Sequence, residues 1–144
     1  MSTNKKNTPF AIDYLDHVAI YVEDLERAIS WYQKVLGLER YKLQKWGEFP
    51  VFMLSGNTGV ALFPIKKTIS SDKVLPQVRI DHFAFRVSEH AFAKAKTHFE
   101  KLSLVYNEQD HYYFRSLYTR DPDGHQVELT TLSVTDKEFK NDIT

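Results

Sequence analysis

Polar and apolar residues alternate along several short stretches of this chain, and apolar residues recur every three or four positions along two longer ones. The first stretch, residues 14–22, alternates and therefore predicts a strand. His17 and Tyr21 fall on one face of this strand, while Val18 and Ile20 fall on the more aliphatic opposite face.

An amphipathic helix is predicted over residues 25–36, where apolar side chains recur at helical spacing. Asp24 stands at the N-cap position and Gly37 at the position of a left-handed C-terminal cap. Trp31 and Tyr32 lie on the apolar side, so we interpret them as core residues rather than ligand-binding ones.

Three β-prone runs follow the helix, at 38–46, 49–54 and 60–65. The Gly- and Asn-rich segment 55–59 between the last two is typical of a hairpin turn. Residues 66–78 then lose all periodicity, which predicts a linker or a mobile loop.

The same order of elements starts again after residue 78. Residues 79–87 predict a strand and Ser88 caps a second helix. Further strands are predicted near 104–109, 112–119 and 125–131, and the turn Asp121-Pro122-Asp123-Gly124 folds the last two into a hairpin. Strand, helix and three strands therefore occur twice, which gives an α+β fold.

An internal repeat is visible in the residues themselves. Asp16-His17-Val18-Ala19 and Asp81-His82-Phe83-Ala84 share one pattern, with the histidines 65 residues apart at 17 and 82. Two such modules bury their apolar sheet faces by packing about a pseudo-twofold axis. We expect one domain over 12–131, made of modules 12–65 and 79–131, with a disordered arm at 1–11 and a tail at 132–144.

Composition narrows the possible functions. The 144 residues suit one domain, and 19 basic against 19 acidic side chains give no charge excess for nucleic acid or an anionic membrane. The chain has no cysteine, so any metal must be held by histidine, carboxylate or amide. The polar N-terminus lacks the apolar core of a signal peptide, and no apolar run approaches about 18 residues. We expect a soluble cytoplasmic protein.

Two histidines and one carboxylate form the candidate metal site. His17 and His82 occupy equivalent positions on the first strands of the two modules, and Glu128 lies on the last strand of the second. Taken singly, such residues are usually core histidines and a solvated glutamate. Together they predict a metal bound by two imidazoles and one carboxylate, since Ala61 provides no ligand at the corresponding place in module one.

The repeated modules, the two Asp-His-x-Ala openings and the closing Asp-Pro-Asp-Gly-His-Gln-Val-Glu resemble the vicinal oxygen chelate superfamily, over about residues 13–131. This superfamily includes glyoxalase I, extradiol dioxygenases, fosfomycin-resistance transferases and bleomycin-resistance proteins. The resemblance implies a cup-shaped half-barrel of mixed sheet with the helices outside. It also implies a homodimer, a small substrate with vicinal oxygens and one divalent metal, Fe²⁺ or Mn²⁺ ahead of Zn²⁺ or Ni²⁺. The ligand positions of the family match His17, His82 and Glu128.

Among these enzymes the chain is most similar to extradiol dioxygenases, which use only two histidines and a glutamate and leave neighbouring metal positions open. Their active-site tyrosine lies ten residues before the glutamate, as Tyr118 does before Glu128. Gln109 stands near the place of their acid/base histidine. His111 is two residues away, and we regard it as the candidate general base.

Three alternatives remain open. A glyoxalase I-like lyase is disfavoured because Ala61 replaces the carboxylate expected there. A fosfomycin-transferase-like thiol transferase is disfavoured because residues 111–115 lack glycine and Ala19 replaces a frequent threonine. A metal-free, ligand-sequestering protein resembling bleomycin-resistance proteins is the alternative of another class.

The remaining histidines have ordinary explanations. His90 and His98 lie on the second predicted helix and are expected at its surface or in helix packing. His125 belongs to the hairpin turn and is expected to form a local hydrogen bond.

Overall fold

A computed structural model of the chain describes residues 9, 13–43, 45, 47–65 and 80–142. Apart from residue 9, the predicted arm and the predicted linker 66–78 lie outside the described residues. The helices and strands follow the predicted order, with one additional helix: β1 (His17–Val22), α1 (Leu25–Leu36), β2 (Glu39–Tyr41), β3 (Val51–Ser55), β4 (Thr58–Pro64), β5 (Phe83–Arg86), α2 (Glu89–Lys101), β6 (Asn107–Asp110), β7 (Phe114–Arg120), β8 (Gln126–Leu132) and α3 (Asp136–Asp142).

The strands form two four-stranded sheets of identical topology, β1-β4-β3-β2 and β5-β8-β7-β6. In both sheets the first strand pairs in parallel with the last, and the other pairs are antiparallel. Val18 lies opposite Val60 in the first sheet as Phe83 lies opposite Val127 in the second. The prediction of an α+β fold with two βαβββ modules is therefore confirmed.

Helix α1 matches its predicted bounds residue for residue because both caps form. The Asp24 carboxylate accepts a hydrogen bond from the Arg27 amide at 3.0 Å, and Gly37 ends the helix at a φ of 65°. The apolar stripe turns toward the sheet and buries Ala28, Ile29, Tyr32 and Val35.

Helices α1 and α2 each cover one face of a sheet, and we call the opposite face of each sheet the open face. In the N-terminal sheet the helix side carries Ile20 and Val22, so alternation puts His17 on the open face. In the C-terminal sheet the helix side carries Leu117 and Leu129, which puts Glu128 on the open face. The prediction that His17 and Glu128 each lie opposite the aliphatic face of their strand is confirmed.

Contacts between α1 and the β7–β8 turn join the two modules. The Tyr32 hydroxyl donates to the Asp121 carboxylate at 2.8 Å in a buried position. Arg27 reaches the carboxylate of Asp123 at 3.4 Å. Val35 packs into the core of the second module. The turn that leads into β8 is therefore fixed by the first module.

Helix α3 lies inside the segment predicted to be a plain tail. It packs against the loop before β7, where the Tyr112 hydroxyl donates to Glu138 at 2.7 Å, and against the first residue of β7, since the rings of Phe139 and Phe114 lie 5.4 Å apart. No helix in the described part of the chain is long and apolar enough to cross a membrane.

Candidate metal centre

His82 and Glu128 meet on the open face of the C-terminal sheet. His82 directly precedes β5, and its Nε2 lies 3.0 Å from a carboxylate oxygen of Glu128 on the neighbouring strand β8. Glu128 sits between β5 and β7, opposite Ala84 and Tyr118. Only 7% of Glu128 is exposed, so this carboxylate is not the solvated side chain that a half-buried strand ordinarily carries.

A neighbouring aspartate orients each of the two predicted histidine ligands. The Nδ1 atom of His82 lies 2.8 Å from the Asp81 carboxylate, and that of His17 lies 2.7 Å from the Asp16 carboxylate. Such carboxylates fix the ring orientation of metal-binding histidines and leave Nε2 as the ligand atom. The repeat therefore reproduces the orienting contact as well as the histidine.

Tyr118 on β7 and His111 in the loop before that strand extend the site. The Nε2 atom of His111 lies 2.9 Å from the Tyr118 hydroxyl, and Tyr118 lies opposite Glu128 in the strand register. Burial raises the pKa of Tyr118, and the hydrogen bond and charge of Glu128 raise it further. The phenol thus remains a proton donor, placed between His111 and Glu128.

His17 lies on the other sheet, where its ring packs 5.1 Å from that of Phe52. Its Nε2 has no hydrogen-bond partner within the described part of the chain. Among the described residues of a single chain, no group of three or more histidine, aspartate or glutamate side chains is arranged to hold a metal ion. One copy thus brings together His82, Glu128, Tyr118 and His111, but not His17.

The chemistry of the donors at His82 and Glu128 fits a divalent metal. One imidazole nitrogen and one carboxylate oxygen approach the same point, and the second nitrogen of the ring is already hydrogen-bonded. Within the described residues, no lysine or arginine nitrogen lies within 4.0 Å of the Glu128 carboxylate. Glu128 therefore lacks the usual fixed counter-ion of a buried carboxylate, and a bound cation would supply one.

The open face of the N-terminal sheet differs in character from this polar site. Ala61, which is 1% exposed, offers only a methyl group. Four aromatic side chains share this face with His17, namely Tyr21, Tyr41, Phe52 and Phe63, and the register also places Ala19, Leu54 and Glu39 there.

Asp121 has a structural role beyond the turn position that the sequence predicted for it. Its buried carboxylate accepts hydrogen bonds from the Tyr32 hydroxyl, from His125 and from the amide of Asp123. The contact from His125 Nδ1 measures 2.8 Å, which confirms the expected local role of that histidine. His98 packs on α1 and reaches the Lys34 carbonyl at 2.8 Å. The spacing of four residues between Asp121 and His125 was the sequence signal that could have predicted the hydrogen bonds to the Asp121 carboxylate.

Known proteins were compared with the chain as a whole. The model of the Glyoxalase/Bleomycin resistance protein/Dioxygenase superfamily matches residues 14–129. Metallothiol transferase FosB of Lysinibacillus sphaericus is 28% identical, over 88% of this chain and 87% of that protein. Glutathione transferase FosA of Serratia marcescens is 26% identical, over 80% and 78%. The crystal structure of lactoylglutathione lyase from Agrobacterium tumefaciens superimposes with a TM-score of 0.66 at 26% identity, covering 83% of this chain and 94% of that one.

Proposed function

Because the chain belongs to the Glyoxalase/Bleomycin resistance protein/Dioxygenase superfamily, we propose that it is a metal-dependent enzyme acting on a small molecule that binds through oxygen atoms. The observation that carries this proposal is the 3.0 Å approach of His82 Nε2 to the buried Glu128 carboxylate. A buried carboxylate that faces an imidazole oriented by a second carboxylate supports metal binding over a metal-free binding site.

We further propose that a second copy of the chain supplies His17. A third ligand is needed to complete the predicted site, and His17 is held in the same way as His82 but lies on the other sheet. In a twofold dimer each copy supplies its His17 to the site of the other copy, so that two equivalent sites form. In this assembly the aromatic open face of one copy would cover the polar open face of the other.

When bound, the metal would act as a Lewis acid that orients the substrate oxygens and stabilises negative charge on them. The residues of the chain handle protons and position. Tyr118 donates from its hydroxyl beside Glu128, and His111 accepts or returns a proton through its 2.9 Å hydrogen bond to that phenol. The aromatic side chains of the other open face would exclude water from the apolar part of the substrate.

Thiol transfer is the first reaction that we propose, because the two curated relatives are named as thiol transferases. A carbon–sulfur bond would form as a carbon–oxygen bond of the substrate breaks. The thiol proton would pass to the released oxygen, with Tyr118 and His111 in position to carry it. This reverses our ordering of the alternatives from the sequence, where an extradiol dioxygenase stood first.

Ring cleavage of catechols by dioxygen is the second candidate, and one observation favours it. His111 stands two residues from the position expected for the acid/base histidine, yet it reaches the hydroxyl of Tyr118. This contact supports the ring-cleavage candidate, because it pairs a histidine with the tyrosine despite the difference of two residues in spacing.

Metal analysis tests the proposal that both reactions share. Protein purified without chelator should contain about one divalent metal per chain, whereas His82→Ala and Glu128→Ala should lose it. His90→Ala is the matched control, because His90 is exposed on α2. Equal metal content in all four proteins would contradict the proposal.

The reaction is then assigned by substrate. The metal-loaded protein is assayed with glutathione or a small thiol and an electrophilic acceptor, with catechols in air, and with methylglyoxal plus glutathione. Thiol adduct supports the first candidate, and yellow ring-fission product supports the second. Lactoylglutathione would show that the argument from Ala61 was wrong.

A further inference from the structure

A cavity of about 460 Å³ adjoins Tyr118 on the open face of the C-terminal sheet. Strand register places five lining residues on this face, since Asn107 lies opposite Tyr118, Gln109 is two residues further along β6, and Arg120 lies opposite Gln126. The polar groups that these side chains contribute are a guanidinium, three amides and a phenol. No aspartate or glutamate is among the described residues that line the cavity.

Arg120 differs in its contacts from the arginines that form salt bridges. Arg27, Arg40 and Arg115 each have an acidic partner within 4.0 Å. No carboxylate of the described residues lies that close to the guanidinium of Arg120. Arg120 instead donates to the Gly124 carbonyl at 2.9 Å and to the Gln126 side chain at 3.3 Å. These two bonds hold its planar fork in place and leave its other N–H groups free.

The hydrogen bond to Gln126 also determines which group of the Gln126 side chain remains available to a ligand. Because its oxygen accepts from Arg120, its NH₂ group remains available as a donor. A pre-ordered guanidinium beside amide donors, in a cavity whose described lining residues include no carboxylate, matches an oxyanion and repels a cation.

We propose that this cavity binds the anionic group of the substrate, a carboxylate or a phosphate-type oxyanion, through Arg120. The inference rests on the proposed function, since it takes the remaining part of the substrate to reach the metal centre beside Tyr118. Arg120 and Tyr118 are two residues apart on the same strand, so their Cα atoms are about 7 Å apart. A small substrate can span that length.

An NMR titration of the full-length, metal-free protein tests this directly. Inorganic phosphate and acetate are added separately, and the Arg120 side-chain signal and the backbone amides are followed. Arg120→Gln removes the charge. Asn107→Asp leaves Arg120 and its two bonds intact but introduces a carboxylate into the cavity. Asn57→Asp, in the exposed β3–β4 turn, is the matched control for the added charge.

Wild-type protein should bind at least one of the two anions saturably at this cavity, and the anion bound more tightly identifies the type of group. Both cavity variants should bind it at least about tenfold more weakly, while Asn57→Asp should bind as the wild type does. Absence of saturable binding to the wild type, or unchanged affinity in Asn107→Asp, would overturn the inference. Metal analysis of the same samples separates the two claims, because anion binding through Arg120 in a protein that takes up no metal would refute only the proposed function.

Discussion

Replacing Tyr32 with phenylalanine tests whether the two modules are fastened through the β7–β8 turn. Tyr32 is fully buried, and its hydroxyl donates to the Asp121 carboxylate at 2.8 Å. The substitution keeps the ring, so it opens no sizeable cavity and removes chiefly this hydrogen bond. A hydrogen bond to a charged group contributes about 1.5–3 kcal/mol to the free energy of unfolding. For a chain of this length, that loss lowers the melting temperature by about 5–10 °C.

Urea and thermal unfolding followed by circular dichroism measure this loss, at one protein concentration because assembly shifts apparent stability. Tyr106→Phe is the matched control, since the Tyr106 hydroxyl donates to Glu100 at 2.6 Å in an exposed position. We expect that control to change the free energy of unfolding by less than about 0.5 kcal/mol. Equal effects of the two substitutions would refute the view that the buried contact between Tyr32 and Asp121 fastens the modules.

Two further predictions concern stability. A Cβ atom on Gly59 would collide with the backbone carbonyl oxygen of Met53 on β3. Gly59→Ala should therefore lower the free energy of unfolding by about 1–3 kcal/mol. Unchanged unfolding in urea would contradict this close approach. Hydrogen bonds from Lys96 and Arg115 hold the pKa of Glu108 below its usual range. Their stabilisation is therefore complete at neutral pH and is lost as acid takes the pH through that lowered pKa. The wild type should lose more stability on acidification than Glu108→Gln does, and parallel pH profiles would contradict this.

Local signals account for the elements that the sequence predicted best. The bounds of α1 are marked by Asp24 and Gly37, whose capping groups act within one turn of the helix. The duplication was visible because both modules repeat an Asp-His pair, and the structure shows the same carboxylate–imidazole contact in each. The facing of Glu128 followed from alternation alone.

Features that depend on contacts distant in sequence were missed. Strand β1 begins at His17 rather than Tyr14 because its pairing with β4 starts at Gly59. The alternation of polar and apolar residues does not determine which residues of two strands pair. Helix α3 is held by Tyr112, Tyr113 and Phe114 of another segment rather than by its own apolar stripe. The burial of Glu128 depends on its two flanking strands.

The sequence predicted which residues belong to the candidate site but not how they are brought together. The repeat points to His82 and strand alternation points to Glu128, and the two side chains approach to 3.0 Å. How the two modules of one chain are placed depends on contacts such as that between Tyr32 and Asp121, which periodicity does not encode. For this reason the sequence could not decide whether His17 meets them within one copy or between two.

Mixing two inactive variants measures the shared site most directly. His17→Ala and Glu128→Ala are unfolded together in equal amounts, refolded and analysed for metal. Random pairing makes half of the dimers mixed, each with one intact site, so about one quarter of the wild-type metal content should return. A mixture of His82→Ala with Glu128→Ala should stay empty, because both residues come from the same copy. If the first mixture also stays empty, or if His17→Ala alone retains the wild-type metal content, the proposed two-copy centre is wrong.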